Sequence, residues 1–287
     1  MVKAEFQAGK ARKAVKVMIP VVVNVRPASV TMKKLLSFVL EEAKKNHAYI
    51  RNIRSNCDIH KAVCEWSINP IKATAQYGHI SKWNTGAVTD MHSLFENMEH
   101  FNQDISGWEV SNVTNMNSMF GGASVFNRNI GAWDVSSVTD MNNMFIMAST
   151  FDKDISGWDV SKVTNMNCMF YGAYEFNQVV SCWDVSNVTV MSEMFSGATL
   201  FNQDINGWDV SNVTTMNKMF HSASSFNQYM NGWDVSNVTD MSGMFGGAKH
   251  FNQYMSGWNV SNVSNMSKMF GGASAFNQDI SGWDVSH

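Results

Sequence analysis

The sequence predicts an α/β solenoid built from coils of 25 residues, each with a short parallel strand and a short helix. Tryptophan recurs at this period without an insertion, and each copy carries apolar residues at two different spacings. Fixed periods in this range are typical of stacked supersecondary units, which bury their apolar side chains only against their neighbours. The nine tryptophans of the predicted core ladder are Trp83, Trp108, Trp133, Trp158, Trp183, Trp208, Trp233, Trp258 and Trp283.

The copy at residues 101–125 shows both spacings. Ile105, Trp108 and Val110 bracket a short segment in which Trp and Val share one face, as in a strand. A second group lies at i, i+3, i+4 and i+7, as on a short helix, and comprises Met116, Met119, Phe120 and Ala123. Each copy is therefore expected to contain a strand, a turn, a short helix and a second turn.

Stacking of the copies would align equivalent residues into columns. Parallel strands would pair about 4.8 Å apart, and Trp, Phe–Met and Ala columns would fill the interior. The chain has 22 methionines, and most occupy two of these columns. A methionine stripe more often fills a core than binds a metal or cofactor.

Two polar columns accompany the apolar ones. An asparagine, or Asp152 in one copy, follows each fixed Phe and is expected to form hydrogen bonds from copy to copy. An acidic column follows Trp, as at Glu109 and Asp134. Backbone N–H groups can compensate its charge through local turns, and calcium between coils is the alternative.

The repeated unit resembles the BspA-like repeat of bacterial and mycoplasma surface lipoproteins. Its motif is Phe-Asn-Gln-Asp-Ile-Ser-Gly-Trp-Asp-Val-Ser-Asn-Val-Thr-x-Met-x-x-Met-Phe-x-Gly-Ala, and the resemblance covers about residues 77–287. The spacing from Ile105 to Val110 is also similar to the strand of leucine-rich repeats, although Val113 stands where that family has Asn. The resemblance implies a right-handed, leucine-rich-repeat-like superhelix, a role in binding or adhesion at the cell surface, and no catalytic residues. The first cysteine, Cys57, lies too late for an N-terminal lipid anchor.

Charge divides the chain unevenly. The net charge of −3 combines +9 for residues 1–54 with −12 for the remainder. We expect a basic arm at residues 1–30, a helical cap at 31–79 and the repeat solenoid at 80–287, with about eight coils. The candidate polyanion-binding residues of the arm are Lys10, Arg12, Lys13 and Lys16. The apolar run that follows is an extended arm, an edge strand or a targeting segment, and it is too short to span a bilayer.

The cap is predicted to contain three helices. The first follows Thr31, the second begins near Asp58, and the third opens at Asn69-Pro70 and ends before Gly78. Such a cap would shield the apolar edge of the first coil. At the other end the sequence stops within a coil, so this edge is expected to dock on a partner or a second copy, or to continue in a longer array.

The sequence contains no recognisable catalytic or metal-binding motif. The four cysteines have no metal-site spacing, the eight histidines form no cluster, and phosphate loops and nucleophile elbows are missing. We therefore expect a protein without cofactor, metal or small-molecule substrate.

The favoured function is a non-enzymatic repeat scaffold for protein or surface binding. Partner contacts are expected where the copies differ. The candidates are Ile146, Tyr171 and His221 in the helical segment, and Arg128, Lys153, Tyr229 and Tyr254 before the strand. The alternative is a structural assembly component that the basic arm anchors to membrane phosphate, nucleic acid or an acidic partner.

Overall fold

A computed structural model of the protein describes residues 37–45 and 52–286. The described residues belong to two units, which divide between residues 52 and 53. In the first unit, residues 37–45 are helical, within the region of the first predicted cap helix. The predicted capping residue Thr31 and the basic residues Lys10, Arg12, Lys13 and Lys16 lie outside the described residues.

The second unit begins with two helices and a two-stranded parallel sheet. Strand β1 (Ile53–Ser55) pairs with β2 (Asn84–Ala87), and the helices α1 (Ile59–Ile68) and α2 (Pro70–Tyr77) lie between them in the chain, followed by a 3₁₀ turn at Ile80–Lys82. Both helices occur where the sequence places them.

Local sequence explains where α2 begins and ends. Pro70 stands at its first position, and the Asn69 side chain accepts a hydrogen bond from Lys72 N–H. Gly78 follows the helix with a φ of 77°, a conformation that glycine adopts without steric cost. Helix α1 contributes its inner face to the core through Ile59, Ala62, Val63 and Trp66.

The repeats after β2 differ from the predicted strand and helix. In residues 88–286 the structure contains turns and single parallel bridges, with no α-helix. Each bridge joins residues 25 positions apart, as between Asn115 and Asp140. The bridges lie five residues after the predicted strand. In the predicted strand itself, Trp108 N–H donates to Ile105 O in a tight turn, and Val113 N–H donates to Val110 O in a second turn directly after it. The prediction of a strand at 105–110 is therefore wrong.

The predicted helix at 116–123 is also wrong, because two of its residues have a positive φ. Ser118 and Gly122 have φ values of 53° and 70°, which a right-handed helix excludes. The N–H groups of Met119, Gly121 and Ala123 close turns to the residue three positions before, whereas those of the intervening residues donate to the next repeat. We call this segment of alternating bonds, residues 116–123 and its equivalents, the turn column.

The core is a set of stacked columns. Successive Phe rings of the column that begins at Phe95 lie 5.4 Å to 5.8 Å apart, and a second Phe column begins at Phe101. The nine repeat tryptophans are at most 9% exposed. Each indole N–H from Trp108 onward donates to a carbonyl 28 residues earlier, as from Trp158 to Ile130 O at 3.2 Å. Hydrogen bonds as well as apolar contacts therefore hold each repeat against the preceding one.

Candidate interaction surfaces

The polar columns tie the repeats together. The Asn202 Oδ1 accepts hydrogen bonds from Asn227 N–H at 2.9 Å and Gln228 Nε2 at 3.0 Å. Asp152, which stands in the same column, accepts from Asn177 N–H in the same way. Copy-to-copy bonding of this column, predicted from the sequence, is therefore present in the structure.

The acidic column is compensated locally. Asp134 Oδ1 accepts hydrogen bonds from the Ser136 hydroxyl at 2.6 Å and the Ser136 N–H at 3.1 Å. These two bonds hold the pKa of Asp134 below its ordinary value. Serine bonds lower the pKa of Asp159, Asp209 and Asp234 in the same way. The carboxylates thus stay charged and exposed at neutral pH.

Several repeated polar side chains on the surface also have structural partners. The amide of Asn187, in an Asn-x-Thr sequence, donates to Ser161 O of the preceding repeat at 2.7 Å. The Thr114 hydroxyl donates to Thr89 O, and later threonines of the column repeat this bond. Lys218 and Glu193, in neighbouring repeats, form an ion pair at 3.1 Å.

The thiol of Cys168 lies in the same column as this ion pair. Burial, followed by the nearby Glu193 carboxylate, raises its pKa to about 11. The thiol is therefore protonated at neutral pH and a poor nucleophile. All four cysteines are free thiols.

The candidate residues Ile146, Tyr171 and His221 lie in the turn column. A methyl group of Ile146 covers Gly121 of the preceding repeat, and the His221 ring covers Gly246 of the following one. Ile146 and Tyr171 are half-buried, whereas His221 is exposed. Ile146 and His221 therefore each lie against a glycine of an adjacent repeat, so the side chains of this column are more constrained than their variation suggests.

The other four candidates belong to two neighbouring columns. Arg128 Nε donates to Asn102 O of the preceding repeat at 2.7 Å, and Gln228 donates in the same way to the equivalent carbonyl, Asn202 O. Arg128 is exposed and Lys153 half-buried. Tyr229 and Tyr254 stand at equivalent positions of adjacent repeats, and 47% and 62% of each residue is exposed. We call these two residues the tyrosine pair.

A second exposed group was not predicted. Tyr174 and Leu200 are 46% and 52% exposed, and Leu200 N–H donates to Tyr174 O. Met147 is exposed as well, its sulfur lies over Gly172, and its N–H donates to Tyr171 O at 2.6 Å. We call Met147, Tyr171, Tyr174 and Leu200 the apolar patch. The sequence does contain a signal for this patch, because large apolar residues replace small or polar ones in three consecutive copies.

The N-terminal end of the repeats carries two shallow grooves. The larger, of about 440 Å³, lies between Trp66, Pro70 and the loop at Met98. The second, of about 410 Å³, shares Trp66 and Pro70 and includes the largely exposed Ile71.

No three or more His, Cys, Asp or Glu side chains in the described part of the chain are grouped so as to hold a metal ion. None of the helices in residues 37–45 and 52–286 has the length and apolar character needed to cross a membrane.

These features define a repeat protein whose copies are joined by backbone and side-chain hydrogen bonds. The family model described as "Mycoplasma protein of unknown function, DUF285" matches residues 66–161, 148–238 and 229–287. The chain belongs to this DUF285 family, and the three successive matches confirm the repeat nature predicted from the sequence. No curated protein and no solved structure is significantly similar to the chain.

Proposed function

We propose that the chain is a non-enzymatic repeat scaffold that binds another protein or a surface through side chains that differ between repeats. The observation that carries this proposal is the exposure of large apolar and aromatic side chains on a backbone that otherwise repeats. The polar side chains of the fixed columns are bonded within their own repeat or to the neighbouring one, as for Asp134 and Asn202, whereas Tyr174, Leu200, Tyr229 and Tyr254 are largely exposed. Tyrosines and grouped apolar residues on a surface are typical of interaction sites.

The proposal includes a finer interpretation of the fold. We interpret the array as a right-handed solenoid similar to leucine-rich repeats, with turn columns instead of helices. Parallel bridges at an unbroken interval of 25 residues support this interpretation. A BspA-like adhesive role at the cell surface is the biological setting that the resemblance suggests.

The test compares three variants of the full chain in affinity capture from cell extract. One replaces Met147, Tyr174 and Leu200 by Ser, and another replaces Tyr229 and Tyr254 by Ser. The control replaces the exposed Val125 and Val179 by Ser. We expect a protein retained by the wild type and the control but lost with at least one patch variant. Equal retention by all variants, or capture of no protein, would contradict binding through these side chains.

A second candidate function rests on the opposite charges of the two parts of the sequence. The +9 of residues 1–54 favours anchoring to a polyanion such as membrane phosphate, nucleic acid or an acidic partner. Replacing Lys10, Arg12, Lys13 and Lys16 by Gln in the full chain should abolish binding to phosphatidylserine vesicles, and wild-type binding should weaken with salt. The same variant should be compared on a nucleic-acid matrix. Unchanged retention on both would exclude the anchor.

A further inference from the structure

Met147 differs from the other methionines of the repeats in its exposure to solvent. It is 43% exposed, whereas Met144, three residues earlier, and Met169, in the next repeat, are fully buried. The other methionines of residues 52–286 are buried as well, or half-buried at Met98 and Met266. The described part of the array therefore presents one readily accessible methionine side chain.

The backbone of Met147 has a conformation that is unfavourable for methionine. Its φ is 56°, in the left-handed region, where the Cβ of an L-residue comes too close to the following carbonyl oxygen. Glycine has no such cost, and it occupies this position in most repeats. The equivalent residues are Asn97, Gly122, Gly172, Gly197, Ser222, Gly247 and Gly272, all with positive φ. Met147 is therefore the one apolar side chain that this column carries in residues 88–286.

A glycine of the next repeat makes room for the side chain. The Met147 sulfur lies over Gly172, where an added Cβ would be 2.5 Å from the sulfur. The side chain of Asn97, another non-glycine residue of the column, lies beside Gly122 in the same way. Met147 therefore takes its observed position only because residue 172 has no side chain.

Met147 belongs to a continuous part of the apolar patch. A Cβ at Gly197 would lie 3.5 Å from Gly172 Cα and 4.0 Å from the Tyr174 ring. The Met147 sulfur and the Tyr174 ring thus border two adjoining glycines, and Leu200 is joined to Tyr174 by its backbone N–H. A change in the polarity of Met147 is therefore a change in the polarity of the patch.

An accessible thioether reacts with peroxides. The sulfur lone pair attacks one oxygen of hydrogen peroxide, an S–O bond forms, the O–O bond breaks and water leaves. Sulfur loses two electrons, which the peroxide gains. The sulfoxide is polar, and methionine sulfoxide reductases return it to the thioether. Leucine has a similar volume and does not undergo this reaction.

We propose that Met147 is a site of reversible oxidation by a peroxide, and that its sulfoxide weakens binding at the apolar patch. Residues held in an unfavourable backbone conformation cluster at functional sites, which supports a functional role for this methionine. The sulfoxide oxygen would lose its water in an apolar interface, and that loss disfavours binding. The oxidation itself requires no partner, whereas its effect on binding rests on the function proposed above.

The first test measures oxidation at each methionine of the full chain. The protein is treated with dilute hydrogen peroxide and digested, and tandem mass spectrometry quantifies the sulfoxide at each position. We expect Met147 to react at least about tenfold faster than Met144 and Met169, because buried methionines react only when the array opens. In concentrated urea the three should react at similar rates. Similar rates in the folded chain would overturn the proposal.

Two variants test whether Met147 controls the polarity of the patch. Met147→Leu keeps an apolar side chain without sulfur, and Met147→Gln imitates the polar sulfoxide. Retention on a phenyl matrix reports the exposed apolar surface of each folded protein. Peroxide should shorten the retention of the wild type to that of Met147→Gln, and a sulfoxide reductase with dithiothreitol should restore it. Met147→Leu should not respond, and an equal response of this variant would overturn the proposal.

The effect on binding is measured in the affinity capture described above, after the peroxide has been removed. The relevant captured protein is one that the wild type retains and the Ser variant of Met147, Tyr174 and Leu200 loses. It should also be lost by the oxidised wild type and by Met147→Gln, and retained by peroxide-treated Met147→Leu.

Two negative results of the capture have different meanings. Retention of this protein by the oxidised wild type would overturn the effect on binding and leave the proposed function intact. Capture of no protein by any sample would contradict the proposed function, while the oxidation rates and the phenyl matrix would still decide whether Met147 is the site of oxidation.

Discussion

At the residue scale, one asparagine of each repeat bonds that repeat to the next. Of the two polar side-chain atoms of Asn202, only the oxygen bonds to the following repeat, and it accepts from Asn227 N–H and Gln228 Nε2. Asp152 makes the same contacts to Asn177 and Gln178. This position therefore requires a side-chain oxygen that can accept hydrogen bonds from the following repeat, and the amide nitrogen of asparagine is not needed.

This requirement predicts different results for two substitutions of Asn202. Asn202→Asp keeps the acceptor and should change the free energy of unfolding by less than about 1 kcal/mol. Asn202→Leu leaves Asn227 N–H without its acceptor and Gln228 Nε2 with only the Asn202 carbonyl, and it should lower the free energy of unfolding by roughly 1–3 kcal/mol. Urea unfolding followed by tryptophan fluorescence measures both. Equal losses would show that the column does not depend on the acceptor.

The lowered pKa values of the acidic column predict a response to acid. A carboxylate whose pKa is lower in the folded state contributes stability above its unfolded pKa of about 3.9. This contribution is lost as the pH falls through the lower folded-state pKa. Ser136→Ala removes the hydroxyl bond, so the pKa of Asp134 should rise toward its ordinary value in a carboxyl NMR titration. Ser137→Ala should leave it unchanged, and an equal shift in both variants would exclude the hydroxyl as the cause.

At the element scale, the turn column combines a helix-like buried stripe with sheet-like bonding. Turns between residues three apart bring Met116, Met119, Phe120 and Ala123 into the core. The positive φ at Ser118 and Gly122 turns the intervening N–H groups toward the next repeat. Glycine is favoured at the second of these positions, where Gly197 has a φ of 74°.

Two glycines distinguish backbone strain from crowding. A Cβ at Gly197 would meet its neighbours at 3.5 Å or more, so space is adequate and the positive φ decides. We expect Gly197→Ala to lower the free energy of unfolding by about 1–2 kcal/mol. Gly157 has open space and no positive φ, so Gly157→Ala should be neutral or slightly stabilising. Thermal and urea unfolding compare the two, and the opposite order would contradict the strain.

At the scale of the whole molecule, the hydrogen bonds and ring contacts of the array join adjacent repeats. Such an array gains stability from individual repeats and from the interfaces between neighbours. Glu175 precedes Phe176, and Phe201 stands one period later. Removal of residues 176–200 would therefore join equivalent positions and keep every column in register.

This predicts that a deletion of one full period is tolerated. The chain without residues 176–200 should unfold cooperatively, with a lower midpoint because one interface is lost. Removal of residues 176–188 instead places unlike residues in each column and should abolish cooperative unfolding. Circular dichroism and differential scanning calorimetry measure both. Similar behaviour of the two deletions would contradict stacking in register.

Prediction succeeded for the core columns and failed for the backbone that carries them. The buried side chains from Met116 to Ala123 were predicted correctly, because turns of three residues and a short helix direct nearly the same side chains into the core. The backbone was wrong because Ser118 has a positive φ, which its residue type does not signal. For the candidate surface, the tyrosine pair was chosen from its variation between copies alone. Arg128, chosen in the same way, instead bonds to Asn102 O, in the manner of the glutamines at this position in other repeats. The exposure of Tyr174 and Leu200 became visible only in three dimensions.

The sequence by itself determined the period, the residues of the columns and the position of α1 and α2, because apolar spacing and capping residues act locally. Only the tertiary structure decided the direction of the hydrogen bonds between repeats and which variable side chains remain free. These properties depend on the φ of residues such as Ser118 and on what the adjacent repeat places beside each side chain. A neighbour 25 residues away is close in space, and its effect cannot be inferred from local sequence.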